Sequence, residues 1–115
     1  MKNIVTVCKQ GLVRSVALAD VLKMHFEPVD VIPVGLSSNT GSLPLLFNWA
    51  EHIIVMEAKM VDKIPEEFKH KVLVCEVGPD TYGHGPRRAI LIDMVWRWAR
   101  ENSKILEISE HSKKL

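Results

Sequence analysis

Four short apolar runs constrain the fold of this chain most strongly. They predict strands at residues 4–7, 29–34, 52–56 and 71–75, each bounded by turn-forming or charged residues. Such runs are typical of strands that are buried on both faces of a parallel sheet. Because Pro33 has no amide donor, we expect the second strand to lie at a sheet edge or to end at that residue.

Helical patterns separate these strands. An apolar period near 3.6 predicts helices at residues 14–24 and 89–100, and shorter helices are predicted at residues 43–50 and 58–64. The alternation of strand and helix predicts a three-layer α/β/α domain with a four-stranded parallel sheet in the order 2-1-3-4. With 115 residues, the chain is long enough for one core, so residues 1–115 are predicted to form a single domain.

The segment after the first strand carries the strongest chemical signal. Residues 7–16 read V-C-K-Q-G-L-V-R-S-V, so Cys8 is followed by Gly11, Arg14 and Ser15 before a helix. The segment combines three features: backbone amides that can bend around one anion, a guanidinium, and a thiol. Together they predict a phosphate-binding loop that contains a nucleophile. The residues expected to contact the phosphate group besides the thiol and the guanidinium are Lys9, Gln10, Gly11, Leu12, Val13 and Ser15.

A cysteine attacks phosphorus only as the thiolate, so its pKa has to fall from about 8.5 to roughly 3.5–7.5. In this chain Arg14, the loop amides and the positive end of the following helix would favour the thiolate of Cys8. Ser15 is placed to donate a hydrogen bond to the same sulfur. The alternative interpretation is that Cys8 is a buried cysteine at a strand end and Arg14 an ordinary charge on a helix surface.

The Gly- and Pro-rich segment at residues 78–86 supplies the second catalytic candidate. Asp80 follows the fourth strand, and in a parallel sheet that position shares an edge with the Cys8 loop. A carboxylic acid there is suited to protonate a leaving oxygen and later to activate water. The alternative role for Asp80 is turn formation after Pro79. Tyr82 is expected either to form a wall of the substrate pocket or to cover the loop.

Composition narrows the possible partners. The formal net charge of +1 gives no reason to expect a nucleic-acid or membrane partner, and no apolar run approaches the ~20 residues of a spanning helix. The first residues enter a strand without a charged leader, and a working thiol suits a reducing compartment, so we expect a cytoplasmic protein. The histidines have no metal-site spacing, so no metal or cofactor is expected, and Cys75 is predicted to be an inert core residue.

Taken together, these motifs resemble those of the low-molecular-weight protein tyrosine phosphatases, and most closely those of the short predicted phosphatases related to them. The similarity lies in V-C-K-Q-G-L-V-R-S, V-G-L-S-S-N-T-G, W-A-E-H-I-I-V-M-E and V-G-P-D-T-Y-G. It implies a phosphocysteine mechanism with Cys8 as nucleophile, Arg14 as phosphate clamp, Ser15 as thiolate stabiliser and Asp80 as general acid and then base. The family often has a second, protective cysteine at the position of Val13, which this chain lacks.

The predicted function is therefore hydrolysis of phosphotyrosine or another phosphate monoester, with a phosphorylated protein or a small monoester as partner and a monomer or weak dimer as the acting species. Three alternatives stay open. An arsenate reductase of the same architecture would need resolving thiols, and Cys75 is a poor provider. A cysteine phosphocarrier would need neither Arg14 nor Asp80. A phosphoprotein-binding or phosphate-binding module would keep the loop without efficient turnover.

Overall fold

The computed structural model describes residues 1–9, 13–37, 41–79, 81–83 and 86–111. In chain order, the strands and α-helices of these residues are β1 (Lys2–Cys8), α1 (Arg14–His25), β2 (Phe26–Glu27), β3 (Val29–Gly35), α2 (Leu43–Trp49), β4 (His52–Val55), β5 (Val72–Val74), α3 (Arg87–Glu101), α4 (Ser103–Leu106) and β6 (Ser109–Glu110). Two 3-10 helices, Ala58–Lys63 and Glu66–Lys71, lie between β4 and β5.

The four longer strands form one parallel sheet in the order β3-β1-β4-β5. Because β2 lies outside this sheet, the observed order corresponds to the predicted order 2-1-3-4 and confirms it. Pro33 lies in β3, which is an edge strand, as expected for a residue without an amide donor. Cys8 at the end of β1 pairs with Gly35 at the end of β3, so both strands finish at the same edge.

The sheet is covered on both faces. Successive side chains of a strand point to opposite faces, and both Ile4 and Val5 of β1 are fully buried, as are Ile53 and Ile54 of β4. Helix α1 packs against β1, β3 and α3, whereas α2 contacts β1. The three-layer α/β/α prediction is thus confirmed.

Several local features differ from the sequence prediction. Residues 58–63 form a 3-10 helix, because only a short segment separates β4 from Pro65 and its bonds close over three residues, as from the Met60 amide to the Glu57 carbonyl at 3.0 Å. The second 3-10 helix was not predicted. Nor was the antiparallel ribbon in which β2 pairs with β6. Within the described ranges, no helix combines the length and apolarity that crossing a membrane requires.

Candidate active site

Cys8 is the last residue of β1, and its sulfur lies beside the start of α1. The Sγ atom is 3.1 Å from the Ser15 hydroxyl oxygen, and both residues are buried. The Leu36 amide donates to the Cys8 carbonyl at 3.0 Å, which ties the end of β1 to the segment after β3. The Ser15 hydroxyl and the Cys8 sulfur thus lie within hydrogen-bond distance, and the roles of both groups stay predictions.

The first turn of α1 is fixed against the sheet. Thr6 of β1 is fully buried, and its hydroxyl donates to the Ser15 carbonyl at 2.8 Å. The N-cap residue Val13 makes no side-chain capping bond, and no carboxylate lies in the first turn. A helix N-terminus whose own first turn contains no carboxylate is a favourable place for an anion.

Arg14 is 2% exposed, which is rare for an arginine, and its guanidinium is bonded at the Nη1 atom. Its Nη1 atom donates to the Glu57 carboxylate and, at 2.9 Å, to the Gly78 carbonyl. Its Nε atom is buried and has no hydrogen-bond partner in the described part of the chain. A buried N–H without a partner is costly, so this edge of the guanidinium is a natural place for an anion.

Glu57 is a site residue that the sequence analysis did not identify. It lies just beyond β4, it is 8% exposed, and it forms ion pairs with Arg14 and, at 3.4 Å, with Lys59. Burial alone would raise the pKa of Glu57, but the hydrogen bond and charge of Arg14, followed by Lys59, hold this pKa below its usual value. The available signal was an acidic residue directly after the strand in the segment H-I-I-V-M-E.

Asp80 lies outside the described residues, but the segments on either side of it are anchored at the site. The Gly78 carbonyl accepts the hydrogen bond from Arg14, and the Gly78 amide donates to the Glu76 carboxylate at 3.0 Å. Glu76 also accepts from the Ala58 amide at 2.8 Å. These contacts connect the chain before position 80 to the guanidinium and to the segment after β4.

Tyr82, on the other side of position 80, is 7% exposed. Its hydroxyl donates to the Val77 carbonyl, and the Arg87 guanidinium lies 5.8 Å from its ring centre. The ring therefore packs on the loop that carries it, and a contact with substrate stays a prediction for this residue.

The remaining predicted loop residues are only partly described. Lys9 is exposed, and its carbonyl accepts from the Ser37 amide at 2.9 Å, whereas Val13 is half-buried. Gln10, Gly11 and Leu12 lie outside the described residues. Their contacts with phosphate stay predictions.

A cleft of about 590 Å³ opens beside these residues. It is lined by Lys9, Leu36, Ser37, Glu57, Lys59, Met60 and Lys63. Since Lys9 follows Cys8 in the chain and Glu57 is bonded to Arg14, the cleft adjoins the predicted phosphate site. A volume of several hundred cubic ångströms is typical of ligand sites.

The described ranges contain no group of three or more His, Cys, Asp or Glu side chains arranged to hold a metal ion. Cys75 is 1% exposed, and burial, followed by the nearby Glu76 charge, raises the pKa of its thiol to about 12. A thiol with that pKa is protonated at neutral pH and reacts poorly as a nucleophile.

No protein-family model matches this chain, and no curated protein matches it either. Solved structures do match. YwlE arginine phosphatase from Geobacillus stearothermophilus is 20% identical, with a TM-score of 0.64 over 100% of both chains. A cysteine-to-serine mutant of YwlE arginine phosphatase with a phosphorylated active-site serine is 16% identical, with a TM-score of 0.63 over 89% of this chain and 96% of that one.

The tyrosine phosphatase Wzb from Escherichia coli K30, solved in complex with phosphate, is 16% identical, with a TM-score of 0.57 over 87% of this chain and 97% of that one. At these identities the similarity establishes the fold rather than the activity. The chain therefore has the fold of the low-molecular-weight protein tyrosine phosphatases, as its motifs suggested.

Proposed function

We propose that this protein is a cysteine-dependent phosphatase. The observation that carries the proposal is the bonding of the buried Arg14 guanidinium. Its Nη1 atom is held by hydrogen bonds, whereas its Nε atom has no partner in the described chain. The next residue is Ser15, whose hydroxyl contacts the Cys8 sulfur. A phosphoryl group placed between that sulfur and Nε would satisfy the buried donor. The same placement would bring phosphorus to the nucleophile.

In the proposed reaction the Cys8 thiolate attacks phosphorus, a sulfur–phosphorus bond forms, and the bond from phosphorus to the leaving group breaks. Asp80 as a carboxylic acid gives its proton to the leaving atom. Water then attacks the phosphocysteine while the Asp80 carboxylate takes its proton, which releases inorganic phosphate and restores the thiolate. Arg14 and the N-terminus of α1 stabilise the negative charge on the phosphoryl oxygens throughout.

The role of Asp80 is supported by the anchoring of its neighbours. Gly78 is bonded to the phosphate-clamp residue Arg14, so the chain reaches the site two residues before position 80. Beyond it, the hydroxyl of Tyr82 is bonded back to Val77. A short loop fixed at both ends beside the guanidinium is a suitable carrier for a general acid.

The substrate class proposed is a phosphotyrosine or another phosphorylated side chain or monoester. The similar structures include an arginine phosphatase and a tyrosine phosphatase. The leaving atom is nitrogen in phosphoarginine and oxygen in phosphotyrosine, and in both cases a proton donor assists departure. A panel of an aryl phosphate, a phosphotyrosine peptide and a phosphoarginine peptide separates these substrates by their kcat/KM values.

Two alternatives are disfavoured by particular residues. An arsenate reductase would use a resolving thiol, and the buried Cys75 with its raised pKa is unsuited to that role. A phosphate-binding module without turnover would not need a general acid at position 80.

The test is hydrolysis of the three-substrate panel between about pH 5 and 8, because acid–base catalysis makes the rate depend on pH. We expect turnover that disappears in Cys8→Ser and falls by about 100-fold or more in Asp80→Asn. Asp93→Asn is the matched control, because Asp93 is exposed on α3 and paired with Arg97. Phosphate binding without turnover of any substrate would instead support the binding module.

A further inference from the structure

The cleft beside the predicted phosphate site continues into a second one. This second cleft, of about 300 Å³, is lined by Leu36, Leu43, Pro44, Phe47, Lys63 and Pro65. Leu36 and Lys63 line both clefts, so the two adjoin as one groove, and Lys9 and Glu57 line only its first part. We call this the extended groove.

The two halves of the extended groove differ in chemistry. Lys9, Lys59 and Lys63 line the half nearer the site. The one carboxylate in that half, Glu57, is already paired with Arg14 and with Lys59, whose side chain is 77% exposed. No carboxylate of the described residues pairs with Lys9 or Lys63. Apart from Lys63, the lining of the farther half is apolar.

A small phosphate monoester would leave most of this groove empty. An extended peptide presents side chains at successive positions, so it fits a site with one cationic and one apolar compartment. We infer that the extended groove binds a phosphorylated protein segment with an acidic side chain next to the phosphorylated residue and an apolar side chain beyond it. The inference rests on the proposed phosphatase activity and specifies its substrate class.

Charge complementarity gives the acidic position its selectivity. A carboxylate beside Lys59 and Lys63 gains ion pairs that an amide lacks, and exposed pairs of this kind weaken as salt rises. The chain carries a formal net charge of only +1, so a general attraction for anions does not account for such a preference.

The experiment measures binding by titration calorimetry with the full-length Cys8→Ala protein, because alanine has no side-chain atom that could accept the phosphoryl group from the probe peptide. The probes are three phosphotyrosine peptides: one with Glu beside the phosphotyrosine and Leu beyond it, one with Gln in place of Glu, and one with Ser in place of Leu. We expect the first to bind about fivefold to tenfold more tightly than either of the others, as one or two exposed ion pairs and one buried aliphatic side chain allow.

Lys63→Gln in the same background should bring the ratio of the Glu to the Gln peptide close to one. Lys104→Gln is the matched control, because Lys104 is an exposed lysine on α4, outside the groove, and it should keep the ratio of the parent. Raising the salt concentration should lower the Glu preference and leave the Leu preference in place.

Equal affinity for all three peptides would overturn the inference, and so would an unchanged ratio in Lys63→Gln. Tighter binding of a small bisphosphate than of the acidic peptide would assign the lysines to a small anion and would also overturn it. Hydrolysis of the aryl phosphate by the native protein is measured separately. If that activity is present while the peptides bind equally, the phosphatase proposal stands and the groove inference fails. If the activity is absent while the Glu preference is found, the groove still binds the phosphorylated segment and the phosphatase proposal fails.

Discussion

The two edges of the Arg14 guanidinium have different surroundings. Nη1 is committed to Glu57 and Gly78, which fixes the plane of the guanidinium, while Nε has no partner in the described chain. Replacing Glu57 by Gln keeps the size and removes the charge, so we expect Arg14 to lose its fixed orientation. The kcat/KM for an aryl phosphate should fall by about 10- to 100-fold, the loss that misplacement of a catalytic group by about 1 Å produces.

Steady-state kinetics on folded Glu57→Gln protein checks this, with Glu66→Gln as the control. Glu66 is exposed and pairs with Lys69 on the same 3-10 helix, so its replacement should leave kcat/KM unchanged. Activity of Glu57→Gln equal to that of the native protein would show that Gly78 and the sheet suffice to orient Arg14.

The same carboxylate makes stability depend on pH. Because the folded-state pKa of Glu57 lies below its usual value, its contribution to stability is fully present above the unfolded pKa of about 4.3 and is lost as pH falls through the folded pKa. At pH 7 we expect Glu57→Gln to lower the free energy of unfolding by about 2–3 kcal/mol. Urea denaturation at several pH values should show this difference shrinking below about pH 4. A constant difference across this range would mean that the charge of Glu57 is not its source.

At the scale of elements, Lys71 joins the second 3-10 helix to α2. Its ammonium group donates to the carbonyls of Phe47, Asn48 and Ala50 at 3.0, 3.2 and 2.7 Å, which are carbonyls at the C-terminus of α2. A cation at this end also favours the helix dipole. Lys71→Met should therefore lower the free energy of unfolding by about 1–2 kcal/mol, measured by urea denaturation. Lys104→Met, at an exposed position, should change it by less than about 0.5 kcal/mol. An equal loss in both variants would exclude the capping role.

The main elements were predictable because each has a sequence pattern of its own: a continuous apolar run for a strand, or an apolar period near 3.6 for a long helix. Continuous apolar residues marked β1, β3, β4 and β5. The order of residues also showed that Cys8 lies at the end of β1 and Arg14 at the start of the following helix. The β2–β6 ribbon was not, since two-residue strands have no periodicity and pair across most of the chain. Glu57 was missed for a related reason: an acidic residue after a strand usually faces solvent, and only the tertiary contact with Arg14 shows that it is buried.

At the scale of the whole molecule, the segment after α3 closes the structure against the N-terminal half. Phe26 and Glu27 of β2 pair with Glu110 and Ser109 of β6, and the His111 amide donates to the His25 carbonyl at 2.8 Å. Leu106 is fully buried and belongs to the same core cluster as the residues of β1. These contacts favour a chain that unfolds as one unit, as the single-domain prediction requires.

Leu106→Ala tests that prediction. If the last segment belongs to one cooperative core, removing this side chain should lower the free energy of unfolding of the whole protein by about 3 kcal/mol through lost burial and the cavity left behind. Far-UV circular dichroism and tryptophan fluorescence should then shift together along the urea axis. Ile105→Ala is the matched control, because Ile105 is 55% exposed and its truncation should cost less than about 0.5 kcal/mol. Two separated transitions in Leu106→Ala would mean that the C-terminal segment unfolds by itself and that residues 1–115 do not form a single cooperative domain.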